Sequence, residues 1–115
     1  MIFMGTLGSL NAAQAPEAAA AASKRLIKAV EENDFTEFIK DGEPAFQNLD
    51  KKLFEAVSKQ LDERMKGGYD VEYLGEMKQQ GFLVTLWRLR FKDGTDDALA
   101  TLSMKGDKVG GYWIK

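Results

Sequence analysis

The stretch Tyr69–Lys115, YDVEYLGEMKQQGFLVTLWRLRFKDGTDDALATLSMKGDKVGGYWIK, decides the fold. Apolar and polar residues alternate along it in four runs separated by turn-forming residues, the pattern of antiparallel strands with one buried face. Asp93-Gly94 between two such runs is a strong short-range hairpin signal. With Lys92 opposite Thr95, Leu89 faces Ala98, Trp87 faces Ala100, Thr85 faces Leu102 and Leu83 faces Met104, all on one side. The other side pairs Arg90 with Asp97 and Leu86 with Thr101. Gly106-Asp107 makes the next turn, of the Gly-first kind, which sets Met104 opposite Val109, Leu102 opposite Gly111 and Ala100 opposite Trp113. In the first hairpin a two-residue loop would turn Glu72 and Glu76 toward the buried side, and carboxylates are costly to desolvate. A three-residue loop, Gln79-Gln80-Gly81, avoids this. It pairs Met77 with Leu83, Tyr73 with Trp87, Val71 with Leu89 and Tyr69 with Phe91, and leaves Glu72 by Arg88 and Asp70 by Arg90 outside.

This register gives the predicted sheet two unlike faces. The inner one is aromatic and nearly uncharged, with Tyr69, Tyr73 and Thr85 as its polar side chains. Its row Tyr73–Trp87–Ala100–Trp113 places a small residue between large ones, so either a helix docks into the dip over Ala100 or a pocket opens there. Tyr69, Tyr73, Thr85, Trp87, Ala100 and Trp113 are the ligand-pocket candidates. On the outer face, Arg88 and Arg90 read as an exposed charge ladder with Glu72, Asp70 and Asp97 rather than an anion clamp; such pairs contribute ~0.2–1 kcal/mol each. Beside the ladder lie Leu74, Phe82, Val84, Leu86, Leu99, Tyr112 and Ile114, too apolar a surface to leave in water. These are the interface candidates, expected to be covered by a second subunit in a homodimer or by the arm Met1–Leu10.

Three helices are predicted ahead of the sheet. Ala15–Glu32 is Ala-rich, carries Pro16 where a first turn tolerates it, and sets Ala22, Leu26, Ile27 and Val30 on one face. Asn33 or Asp34 caps a short helix, Phe35–Lys40, that ends at Gly42. Glu43-Pro44 is read as an extended or turn segment. Asn48 or Asp50 caps the third helix, Lys51–Lys66, with Leu53, Phe54, Val57, Leu61 and Met65 as its buried stripe.

A chain of 115 residues with 44% hydrophobic and 30% charged residues has the make-up of one globular domain. The net charge of −2 supplies no basic footprint for nucleic acid. Without Cys or His, thiol nucleophiles, imidazole bases and the usual transition-metal ligand sets are excluded. No cofactor motif is present, and none is expected. At the start, Ile2–Leu10 is uncharged and apolar, and Ala13-Gln14-Ala15 has the small-x-small form of a signal-peptidase site, but no positive n-region precedes it. Residues 1–14 therefore read either as an apolar arm or as the remnant of a signal peptide ahead of a single domain, residues 15–115. The first reading implies a cytoplasmic protein, the second a periplasmic or secreted one. The segment is too short to span a bilayer as a helix.

Helices first and a four-stranded meander after them, with Gly106-Asp107-Lys108-Val109-Gly110-Gly111-Tyr112-Trp113 closing the chain and the pattern of Ala22–Phe35 upstream, resemble the nuclear-transport-factor-2-like (cystatin-like) superfamily, and within it a small branch of unknown function. The resemblance implies an α+β fold with N-terminal helices on one face of a curved four-stranded antiparallel sheet. It also implies one of two functions. One is a non-catalytic module that binds a small apolar ligand or a protein partner. The other is an isomerase or dehydratase using a tyrosine with a helix-borne carboxylate, for which Asp41 and Glu43 are the acids at hand. Enzymes of the superfamily place Asp/His or Tyr/Asp groups inside the cone, and the absence of His favours the non-catalytic reading.

Overall fold

The structure is a computed structural model that describes residues 14–115; the apolar arm and Ala13, the first residue of the small-x-small motif, lie outside the described residues. Four helices precede a four-stranded sheet, an α+β fold. Helix α1 (Glu17–Glu31) starts directly after Pro16 and buries Ala19, Ala22, Leu26, Ile27, Ala29 and Val30, the predicted face. Asp34 caps α2 (Phe35–Ile39), its Oδ1 accepting from the Glu37 amide at 3.1 Å and so satisfying one of the helix's orphan donors. The Glu43-Pro44 segment is followed by a single helical turn rather than a plain loop: α3 (Pro44–Gln47) carries proline in its first turn, a position preorganised for helix. Asp50 caps α4 (Lys51–Lys66) by accepting from the Lys52 amide at 2.9 Å.

The buried stripe of α4 is rotated from the predicted one. Phe54, Ser58, Leu61 and Met65 face the core, while Leu53 is 67% exposed and Val57 37%. Leu49, Leu53 and Val57 form a second apolar line at i, i+4 spacing beside the first, and packing decides between them. The Phe54 ring sits 4.7 Å from that of Phe38 and 5.4 Å from that of Phe35, and Ser58 Oγ donates to the Val30 carbonyl at 2.6 Å. These contacts with α2 and α1 fix the rotation of α4.

The sheet runs β1 (Tyr69–Gln79), β2 (Phe82–Phe91), β3 (Ala98–Lys105), β4 (Lys108–Ile114), all antiparallel and in chain order. Strands β2 and β3 pair as predicted, from Leu83–Met104 to Leu89–Ala98. The rung Arg90–Asp97 is not made, because the connection is longer than a two-residue hairpin. Asp93 Oδ1 accepts from the amide and hydroxyl of Thr95 at 2.9 and 2.7 Å, and Arg64 of α4 reaches across to the Thr95 hydroxyl and the Asp96 carbonyl. Arg90 lies 4.0 Å from Glu72, which also pairs with Arg88.

Both edge strands carry a bulge that the alternation pattern did not predict. From Tyr69–Phe91 to Tyr73–Trp87 the β1–β2 register is the expected one; then Leu74 is skipped, and Gly75 pairs with Leu86 and Met77 with Val84 instead of Leu83. The loop is therefore the two-residue Gln80-Gly81, with positive φ at both positions, as a hairpin turn matched to strand twist requires. Glu72 nevertheless stays outside, since the bulge reverses facing between Tyr73 and Gly75. In β4, Met104–Val109 pairs as expected, but the register then slips at Gly110, so that Ser103 meets Gly111, Leu102 meets Tyr112, Thr101 meets Trp113 and Ala100 meets Ile114. Two consecutive glycines make this slip easy. Its effect is to exchange the faces of the closing residues. Tyr112 and Ile114, expected outside, turn toward the helices, and Trp113, expected inside, turns outward and is 57% exposed.

Candidate functional site

The dip over Ala100 is filled. Ala100 and Leu102 are fully buried among Leu26, Ile27 and Val30 of α1 in one continuous core. Of the predicted pocket residues, Thr85 is buried and accepts from Trp87 Nε1 at 2.8 Å. Tyr73 lies against Trp87 with ring centroids 5.1 Å apart, and its hydroxyl donates to Glu76 Oε1 at 3.0 Å. Tyr69 and Trp87 border one cleft and Trp113 another, so the six do not converge on one cavity.

The larger cleft, about 620 Å³ and half open, lies between α4 and the β4 edge. Val30, Phe38, Phe54 and Tyr112 form its floor, Leu49, Leu53 and Val57 one wall, and Trp113 and Ile114 the other, with Asp50 and Lys115 as its charged groups. Tyr112, Trp113 and Ile114 of β4 and the following Lys115 line it. Successive side chains of a strand point to opposite faces, so a cleft that touches all of them runs along the strand's edge. The Tyr112 hydroxyl is buried with no hydrogen-bond partner among the described residues, and burial raises its pKa, holding the phenol neutral. Upstream on the same edge, the Val109 amide donates to the Asp41 carbonyl at 3.1 Å and the Val109 carbonyl accepts from the Glu43 amide at 2.7 Å. Asp41 and Glu43 thus touch β4 through their main chain, and the Asp41 side chain stays exposed.

The second cleft, about 470 Å³, lies between α1 and β1 and is bordered by Ser23, Ile27, Glu31, Tyr69, Val71 and Trp87, among others. Here Tyr69 Oη donates to Glu31 Oε1 at 2.7 Å. Burial first, then the bond to Glu31, raises the Tyr69 pKa. The pairing depends on where α1 ends relative to β1, which local pattern does not encode.

On the outer sheet face Leu74, Met77, Leu99 and Trp113 are exposed, Phe82 and Leu86 half-buried, and Val84 buried between its neighbours at 7% exposure. Trp113 thus takes the outward position read from sequence for Tyr112 and Ile114. Among the described residues there is no group of three or more His, Cys, Asp or Glu side chains placed to hold a metal ion, and no helix long and apolar enough to cross a membrane. Comparison of the chain with protein-family models, curated proteins and solved structures gives no match.

Proposed function

We propose that this chain is a non-catalytic binding module of nuclear-transport-factor-2-like kind, which takes a small apolar ligand or a protein segment in the cleft between α4 and β4. One observation carries the reading: a half-open cleft of about 620 Å³ walled by apolar side chains, with Leu53 and Trp113 left largely exposed beside it. Binding clefts have this size and this apolar lining, with few polar groups. A homodimer through the outer sheet face belongs to the same proposal and is supported by exposed Leu74, Met77 and Leu99 on that face. The test is a fluorescence titration of the full chain with 1-aminoanthracene, a neutral apolar probe. Saturable binding at one site, weakened at least tenfold by Leu53→Glu, is the expected result; no saturable binding, or binding indifferent to Leu53→Glu, would overturn the cleft as the site. Sedimentation equilibrium tests the dimer. Leu99→Lys should convert it to monomer, and a chain that is monomeric before substitution removes the dimer from the proposal.

A second reading, proton transfer by a tyrosine and a helix-borne carboxylate, is favoured by one observation, the Tyr69–Glu31 hydrogen bond at the border of the smaller cleft. A raised phenol pKa suits Tyr69 to donate a hydrogen bond rather than to act as a base. This reading predicts that Tyr69→Phe abolishes turnover of an enolisable ketone while leaving the fold intact.

A further inference from the structure

We propose that the larger cleft receives an extended peptide segment of a partner protein, which adds as a short strand to the C-terminal half of β4; this rests on the reading of the chain as a binding module. The backbone supplies the first observation. Leu99 and Lys115 exchange both hydrogen bonds, at 2.8 and 3.0 Å. In an antiparallel ladder, hydrogen-bonded and non-bonded rungs alternate, so Trp113 also turns its backbone toward β3, while Tyr112 and Ile114 turn theirs away. As β4 ends the sheet among the described residues, these two N–H and two C=O groups lie on the edge those residues leave open. The chain's own Asp41–Glu43 already occupies this edge one rung upstream, in parallel orientation at Val109, and leaves it where Pro44 starts α3. The edge therefore accepts a strand, and its own strand stops short.

The side chains supply the second observation. Leu53 and Trp113 stand on opposite sides of the same edge at 67% and 57% exposure, ready to cover the apolar residues of an incoming strand. The other sheet edge is unlike this one: β1 bears Asp70, Glu72, Glu76 and Lys78 and a bulge at Leu74, features that discourage strand addition. Two open rungs set the size of the occupant. They suit a segment of about four or five residues, roughly 13–17 Å long, and fall well short of the ~1,200 Å² that a stable subunit interface buries. A small lipophile would fill the cleft but leave the edge groups unpaired. An extended peptide, apolar at alternate positions and with little charge, satisfies both, with main-chain bonds giving affinity and side-chain pockets giving specificity.

The test is selection of a displayed random heptapeptide library on the full chain, followed by titration of the synthetic, end-blocked winners. Ile114→Pro is the decisive variant. Proline there removes an amide hydrogen that points away from β3, a substitution that edge strands tolerate. Winners with apolar residues at alternate positions that bind Ile114→Pro and Leu53→Glu at least tenfold more weakly are expected, with an N-methylated copy of the winner inactive at the same concentrations. If no peptide is enriched, or the winners bind Ile114→Pro as tightly as the parent, strand addition is overturned; retention of 1-aminoanthracene binding in that case would leave the cleft as a lipophile site. A self-association abolished by Ile114→Pro would give the edge to a second copy and overturn the partner peptide. Circular dichroism of each variant establishes that the fold is retained, and Leu53→Glu keeps the test decisive should Ile114→Pro fail to fold.

Discussion

The indole ring of Trp113 occupies the space that a β-carbon on Gly111 would fill. Glycine at 111 thus lets the ring lie against the sheet, and the Phe82 ring stands in the same relation to Gly110. Gly111→Val should push the indole off the sheet. Because the ring is already half in solvent and free to swing outward, the cost should be about 1–3 kcal/mol, the range for overpacking. Urea unfolding followed by circular dichroism measures it, and no loss of stability would contradict the contact.

The rotation of α4 predicts a contrast between neighbours. Phe54→Ala removes a buried ring packed on Phe35 and Phe38 and should cost about 3–5 kcal/mol. Leu53→Ala, one residue earlier, should change stability by no more than about 0.5 kcal/mol. Equal effects at the two positions would restore the stripe predicted from periodicity.

Two buried serines should behave oppositely. Ser58 Oγ bonds the Val30 carbonyl, and Ser58→Ala should cost about 1–2 kcal/mol. Ser23 Oγ is buried with no partner among the described residues, so Ser23→Ala removes a polar group unpaired there and should leave stability unchanged or raise it by up to ~1 kcal/mol. Thermal unfolding of the two variants separates the cases.

Tyr69, Tyr73 and Tyr112 all have raised pKa values, with burial as the largest cause, aided by Glu31 at Tyr69 and Glu76 at Tyr73. The folded state thus favours the protonated phenol, and a folded pKa above the unfolded value of about 10 contributes stability that is complete below that pH. The contribution is lost as pH rises through the folded values. Phenolate absorbance should therefore lag behind that of free tyrosine and rise steeply with alkaline unfolding. A smooth titration centred near pH 10 with native circular dichroism would contradict it.

Asp93 shifts the other way. Its carboxylate accepts from the Thr95 hydroxyl and amide, which lowers its pKa. The turn's stabilisation is present above the unfolded value of about 3.9 and lost as pH falls through the lower folded one. Carbon NMR of the Asp93 carboxyl should give a midpoint below that of a free aspartate, moved part of the way back by Thr95→Val, which removes the hydroxyl bond and keeps the amide one.

Alternation and turn chemistry made strand number, strand order and the β2–β3 register legible, because each depends on residues close in sequence and on a single buried face. Asp34 and Asp50 were readable as caps for the same reason. What escaped depends on non-local packing. The rotation of α4 follows from where Phe35, Phe38 and the Val30 carbonyl stand, and the Glu31–Tyr69 pair from the placement of α1 over β1. The bulges had a local sign, Gly75 in one strand and Gly110-Gly111 in another, since glycine inside a strand marks such irregularities. Reading Gly110-Gly111 as an interruption rather than part of the alternation would have placed Tyr112 inside and Trp113 outside. The edge cleft was hidden in turn, because its walls are the residues whose faces were exchanged.

The slip at Gly110 gives the tail of the chain a parity. Val109 and Tyr112 share a face across an odd spacing only because Gly110 is an extra, unpaired residue, so a change that suppresses the bulge at constant chain length would reverse the orientation of everything that follows. It would drive the indole of Trp113 into a core shaped for a phenol and expose Tyr112 and Ile114 on the far side. Deleting Gly110, by contrast, would restore simple alternation and leave both the interior and the open edge as they are.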